Sequence, residues 1–274
     1  MRQDFENYMV LKNYAASSIK TYLSIFDLIA KDGLDVFSKS KSDLMSYLAK
    51  KVKENKTSAN YTAQFASVCN IVRINFLDIT DKVKIPRPNK PVIQPDVLTI
   101  EEVQDMISKT PNIKHKSIIS IMYATGMRSN EVCNIKIDDI DSKGKVIRIK
   151  QAKGMKDRVA MLDDGLLSIL REYFSIYKPN IYLFNGATGG KYTVRSIQQI
   201  VSKAASKCNI QKKISSHSMR HSCFTQLIKN GVDIRHIQKL AGHRNINTTA
   251  RYLQINDLDV LSIKSPFSDI KLNK

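Results

Sequence analysis

Four prolines, Pro86, Pro88, Pro91 and Pro95, fall within the stretch KIPRPNKPVIQP that runs from Lys84 to Pro95. Each fixes φ near −65° and removes an amide donor, so neither a helix nor a central strand crosses this stretch. The chain must therefore fold as two lobes. Its 274 residues suit one or two domains at about 150 residues each, and each lobe is long enough to bury a core. The expected division is a helical domain over 1–84, a proline-rich linker over 85–97 and a second domain over 98–274.

Before the linker, residues 15–77 read as helices. Ile19, Tyr22, Leu23, Phe26 and Ile29 form one apolar stripe, Leu44, Tyr47 and Leu48 begin a second, and Tyr61, Phe65, Val68, Val72 and Phe76 make a third. Asp32-Gly33 and the stretch 53–57 separate them. The stripes are core, and the intervening Lys20, Lys50, Lys51, Lys53 and Lys56 read as solvated charge. Taken alone, this half is a small helical bundle.

Charge supplies the first hint of a partner. The chain has 44 basic and 25 acidic residues, a formal charge of +19 and a pI near 9.7. Residues 1–95 carry +6 and residues 96–274 carry +13, so both lobes are basic. A polyanion is the expected partner, and the stiff, basic linker suits a strap along it. The four cysteines (Cys69, Cys133, Cys208, Cys223) lack CxxC or CxxH spacing, which argues against a zinc site and a disulfide scaffold and fits a reducing cytoplasm. No apolar run approaches the roughly 18 residues of a membrane span, and the amino end lacks the apolar core of a signal peptide.

The second lobe opens with a capping box, Thr99 with Glu102, ahead of a helix through Met106 and Ile107. A helix over 115–123 follows, with Ile118, Ile119, Ile121 and Met122 implying burial on most sides. Gly126 then turns the chain, Ser129 or Asn130 is placed to cap the next helix, and Arg128 stands at the junction with its guanidinium free to reach a phosphate. Val146–Lys150 and Arg158–Met161 alternate in the manner of a β-hairpin, with Lys153, Gly154 and Lys156 between them. Further helices carry Leu166, Leu167, Leu170 and Phe174, then Val194, Ile197, Ile200 and Val201. The glycines from Gly186 to Gly190 between them are no nucleotide-phosphate cradle, since no GK[ST] follows.

Residues 216–252, SHSMRHSCFTQLIKNGVDIRHIQKLAGHRNINTTARY, hold four of the five histidines. His217 and Arg220 lie three apart, on one face of a helix, where imidazole and guanidinium can grip one anion. Gly231 fits a helix C′ position, Asp233 caps a helix over 234–240, and Ala241-Gly242 ends it before His243. Tyr252 follows nine positions later, where Asn247, Thr248 and Thr249 suggest a short helix.

The order HxxR (His217 to Arg220), LxGH (Leu240 to His243) and Tyr252 resembles the catalytic box of the tyrosine recombinases, the phage integrase and Xer-type enzymes. Three motifs agree in order and spacing, with Met219 and Ala241 standing where the family usually has leucine. The resemblance implies a mainly α fold with a small β-sheet (α+β), two-lobed, with an N-terminal helical core-binding domain and a C-terminal mixed catalytic domain. It implies Arg128, Lys153, His217, Arg220, His243 and Tyr252 as catalytic, with Glu131 as the acidic neighbour of Arg128. Lys156 remains the alternative to Lys153, because Ala152 stands where glycine is frequent. The implied partners are double-stranded DNA bearing specific recombination sites and further copies of the chain, a tetramer on two DNA sites. In that assembly the apolar tail of Leu258, Val260, Leu261 and Ile263 docks on a neighbouring subunit.

The chemistry is consistent with that resemblance. Displacement at a phosphodiester builds negative charge, which Arg128 and Arg220 are placed to stabilise. A tyrosine, with an ordinary pKa near 10, needs a base or nearby cations to act as nucleophile, a role open to His217 or His243. Lys153 is the candidate general acid for the leaving 5′-oxygen. The sequence implies no cofactor and, lacking clustered Asp and Glu, no metal ligand set. A type IB topoisomerase, a metal-dependent nuclease and a non-catalytic DNA-binding protein are the competing readings. A recombinase of a mobile element, cytoplasmic and independent of ATP, is the expectation.

Overall fold

The structure is a computed structural model that describes residues 1–55, 59–84, 96–150, 157–186, 189–243, 245–250 and 252. The chain divides into two compact units, Met1–Val92 and Ile93–Lys274. Most of the linker expected over 85–97, the hairpin loop with Lys153 and Lys156, and the apolar tail after Tyr252 lie outside the described residues.

The first unit is helical: α1 (Arg2–Leu11), α2 (Ala16–Ala30), a short 3-10 turn (Leu34–Ser38), α3 (Lys41–Asn55) and α4 (Ala59–Phe76). The three stripes read from the sequence bury Phe26, Ile29, Leu44, Leu48, Phe65, Val68 and Val72 as expected. Helix α1 was not anticipated, since the helices were expected to begin at residue 15. Phe5 and Met9, one turn apart, bury its inner face completely. Phe26 stacks between Phe5 and Phe37, with both ring centroids 5.2 Å away. Arg73 is buried with its Nη1 held by carbonyls, donating to Phe37 O (3.0 Å) and Lys39 O (2.6 Å), which ties α4 to the 3-10 turn.

The second unit is built around α6 (Ile113–Thr125), which is buried on nearly every side and contacts α5 (Ile100–Ser108), α7 (Ser129–Asn134), α8 (Asp164–Tyr177), α9 (Val194–Lys207) and α10 (Ser216–Lys229). The Thr99–Glu102 capping box opens α5 as expected, with Thr99 N–H to Glu102 Oε2 at 2.8 Å and Glu102 N–H to Thr99 Oγ1 at 3.2 Å. A three-stranded antiparallel sheet runs β1 (Ile140–Asp141), β2 (Val146–Ile149), β3 (Arg158–Met161) in that order, with Ile147 opposite Ala160 and Ile149 opposite Arg158. The hairpin matches the sequence reading, and the edge strand β1 is an addition to it. In α8 the sequence stripe assigned Phe174 to the core. The structure instead buries Tyr173, which lies nearer the line through Leu166 and Leu170, and leaves Phe174 exposed.

Two short helices close the unit, α11 (Ile234–Ala241) and α12 (Ile246–Ala250). Asp233 caps α11 through Arg235 N–H at 2.7 Å, and Gly242, at φ +65°, ends it. Gly126 ends α6 at φ +61°. A Cβ there would meet the Phe224 ring at 2.6 Å, so glycine is required both by the left-handed backbone and by the close approach of α10.

Candidate active site

Arg220 organises the site. It sits on the second turn of α10, only 4% exposed, and has no carboxylate partner among the described residues. Its guanidinium is held instead by two helix ends: Nη1 donates to Gly126 O at the end of α6 (2.6 Å), and Nη2 to Ala241 O at the end of α11 (2.6 Å). Terminal helix carbonyls lack intrahelical donors and carry the negative end of the helix dipole, so they can bury a cation without neutralising it. Burial and then repulsion by Arg128 lower the Arg220 pKa to about 10, which leaves it cationic at neutral pH. The guanidinium also lies over the Phe224 ring at 4.8 Å.

His243 follows directly from the α11 terminus. Its N–H donates to Gln238 O (3.1 Å), and Gln238 Nε2 donates back to His243 O (3.0 Å), fixing the turn. The ring Nε2 lies 3.1 Å from Arg220 Nη2, and Nδ1 lies 3.0 Å from Thr249 Oγ1 on α12. Arginine can only donate, so Nε2 is the acceptor and Nδ1 carries the proton towards Thr249. Burial, reinforced by Arg220, Arg128, Arg158 and His221, lowers the imidazole pKa to about 4. The ring is neutral at physiological pH.

Tyr252 lies just beyond α12 rather than on it, its N–H bonded to Thr249 O at 2.9 Å. The side chain is 4% exposed and packs with Phe224, Ile237 and Ala241. Its ring is stacked on His243 (5.9 Å, 18°), edge-on to His221 (5.0 Å) and tilted against Phe224 (5.1 Å). Arg220, His243 and Tyr252 are thus brought together by α10, α11 and the turn after α12.

Arg128 joins through a carboxylate. It occupies the N-cap of α7, a place the sequence suggested for Ser129 or Asn130, and Glu131 folds back to serve as the cap. Glu131 Oε2 accepts from Arg128 N–H (2.7 Å), and Oε1 accepts from Arg128 Nη1 (3.1 Å). The Arg128 side chain remains one-third exposed. His217, on the first turn of α10, is exposed and makes no hydrogen bond to Arg220 or His243 among the described residues. The helix carries both residues, His217 at its exposed start and Arg220 buried one turn further on. Lys153 and Lys156 lie outside the described residues.

Sequence reasoning missed Arg158. The alternation of Arg158-Val159-Ala160-Met161 marks a strand without saying which face is inward, and the structure exposes Val159 and Met161 and buries Arg158 and Ala160. The signal was available in the register, since pairing of Ala160 with the buried Ile147 puts Arg158 on the inner face as well. Its Nη2 meets Glu131 Oε2 at 2.7 Å and its Nη1 donates to Leu240 O at 2.6 Å.

With this geometry in place, residues 96–258 match the sequence model of the phage integrase family. The chain belongs to the phage integrase family. A tyrosine recombinase of Thermosipho africanus is 31% identical over 73% of this chain and 72% of that protein. The tyrosine recombinase XerA of Pyrococcus horikoshii is 28% identical over 92% and 88%. Among solved structures, the Tn1549 transposon integrase in complex with transposon right end DNA superposes with a TM-score of 0.77 over 95% of this chain and 96% of that one, at 16% identity, a likeness of fold. The mainly helical architecture with a small sheet is therefore that of the tyrosine recombinases, and the chain is an enzyme of DNA cleavage and rejoining in site-specific recombination. No helix among the described residues is long and apolar enough to cross a membrane.

Proposed function

We propose that the chain recombines DNA at specific sites through a covalent 3′-phosphotyrosyl intermediate on Tyr252, without metal or ATP. The observation that carries this reading is the convergence of Tyr252 and Arg220 on His243, whose ring stacks on Tyr252 at 5.9 Å and whose Nε2 accepts from Arg220 Nη2 at 3.1 Å. A phosphate seated between Arg128 and Arg220 would have its non-bridging oxygens neutralised by two guanidiniums, one pre-set by helix termini and one on the open side of the site.

In the proposed step the Tyr252 Oη attacks phosphorus, a P–O bond to tyrosine forms, and the bond to the 5′-oxygen breaks. The phenolic proton passes to a base. By resemblance that base is His217 or His243, the latter with both ring nitrogens already engaged by Arg220 and Thr249. The leaving oxygen takes a proton from Lys153, assigned by resemblance, with Lys156 as the alternative. Attack of a 5′-hydroxyl from the partner strand reverses every transfer, and because the phosphodiester bond energy is kept in the ester, rejoining needs no ATP. The same proposal gives the first unit, with its net positive charge, the core-binding role on DNA, and places four copies on two sites with the tail after Tyr252 reaching a neighbour.

A nicked suicide substrate run on a denaturing gel tests the reading. Wild type is expected to give a protein–DNA adduct and Tyr252→Phe none, with half-site binding by mobility shift kept within about threefold because phosphate contacts dominate affinity. An adduct persisting in Tyr252→Phe would overturn the assignment.

A further inference from the structure

Arg158 has no part in the proposed bond-making steps, yet it is a buried cation beside them. Its side chain is 4% exposed and that of Glu131 is 10% exposed, so their 2.7 Å contact is a buried ion pair. Glu131 Oε2 accepts from Arg158 Nη2 and from the Arg128 N–H, while Oε1 accepts from Arg128 Nη1. One carboxylate is therefore shared by two guanidiniums. The other arm of Arg158 holds Leu240 O, in the last turn of α11, next to the Ala241 carbonyl that holds Arg220 and three residues before His243. The same residue begins β3, opposite Ile149, where the hairpin loop containing Lys153 returns.

The charges decide what this does. Arg128, Arg158 and Arg220 with Glu131 amount to +2, and His243 adds nothing because it is neutral. A phosphodiester carries one negative charge, and more gathers on its oxygens as the tyrosine attacks. Without Arg158 the set falls to +1, and the Glu131 carboxylate, left to Arg128 alone, both quenches that guanidinium and repels the phosphate. A buried carboxylate stripped of one partner also pulls harder on the other.

We propose that Arg158 is a positioning residue for strand cleavage. It neutralises Glu131 and ties it to the end of α11, so that Arg128 keeps its charge for the scissile phosphate while Arg220 and His243 keep their register. The inference rests on the phosphotyrosyl reading above and extends it to a buried residue behind the site.

The test is the rate of adduct formation on the suicide substrate at saturating DNA, with half-site affinity and melting temperature measured on each full-length variant. Arg158→Met is expected to slow adduct formation about 100-fold, the scale of a small displacement of reacting groups, with half-site affinity within about threefold. Glu131→Gln alone is expected to slow the wild type. Introduced into Arg158→Met, the same change is expected to speed adduct formation about tenfold, because it removes the uncompensated charge. Arg158→Lys, with its charge but without the fork, is expected to fall between wild type and Arg158→Met. Should Arg158→Met not fold, the cycle is closed with Arg158→Lys, Glu131→Gln and the double variant of those two changes, whose rate must exceed the product of the two single effects. Adduct formation by Arg158→Met within about threefold of wild type, or additive losses in the double variant, overturns the proposal. Wild type giving no adduct overturns the phosphotyrosyl reading itself, an outcome distinct from both.

Discussion

Acid should unlatch the His243 corner, by an amount that follows from its surroundings. The imidazole titrates near 4 in the folded protein against about 6.5 in an unfolded chain, so the folded state binds fewer protons across that interval. The stability tied to the neutral ring is fully present above pH 6.5 and is lost as pH falls towards 4. Integrated from about pH 7.5 to about pH 4.5, the linkage amounts to about 2.5 kcal/mol, and solvent reaching a half-buried ring reduces this to about 2 kcal/mol. His243→Gln, which cannot titrate, should lack this component. Urea unfolding of both full-length proteins at the two pH values isolates it as a double difference, since the first unit contributes equally to each. Wild type should lose about 2 kcal/mol more than the variant on acidification. Parallel losses, or an imidazole titrating near 6.5 by NMR, would show that Arg220 and burial do not hold the ring neutral.

Other expectations follow from the same geometry. Gly126→Ala should lower stability by about 2 kcal/mol or more, read by thermal melting, since it combines a left-handed backbone with a 2.6 Å approach to Phe224; an unchanged melting temperature would refute the close packing of α6 on α10. Adduct formation should proceed in EDTA, because guanidiniums occupy the charge-neutralising role a metal would otherwise fill, and a magnesium requirement in cleavage itself would favour a nuclease. Lys153→Ala should cleave slowly on a normal substrate and recover on one with a 5′-bridging sulfur, whose departure needs no proton; recovery by Lys156→Ala instead would transfer the acid role. Truncation after Asp257 should spare single-site binding and abolish cooperative pairing of sites, measured by light scattering on two-site DNA, and a full tetramer without the tail would refute tail docking.

How much of this was legible in the sequence depends on whether a residue's partner is local. Asp233, Gly231 and Gly242 act on their own helix ends, and the Thr99–Glu102 box closes within one turn, so spacing alone identified them. Arg128, Arg220, His243 and Tyr252 could be ordered by motif, but nothing local says that Arg220 would be held by carbonyls of residues 126 and 241. Those contacts exist only once α6 and α11 end at the same point in space. Tyr173 lies nearer than Phe174 to the line through Leu166 and Leu170, and the Phe184 ring that meets it at 5.3 Å is a partner the stripe does not reveal. Helix α1 was missed although Phe5 and Met9 show the pattern, because the exposed Val10 and Leu11 directly after Met9 blur the helical period.

Arg158 shows why polarity misleads at such a site. A charged residue at the start of a strand is ordinarily turned outward, and Val159 and Met161 are the better core residues by transfer energy, each worth about 1.5 to 3 kcal/mol if fully buried. The strand forgoes that gain and exposes them. The compensation is that an inward Arg158 reaches Glu131 and Leu240 together, and burying any cation there requires both partners, since an unpaired buried charge costs several kcal/mol. Hydrophobic burial alone would therefore select the opposite face of β3. The register that the chain adopts is intelligible only as part of the arginine cluster, which links the local inversion of a four-residue strand to the charge required at the phosphate.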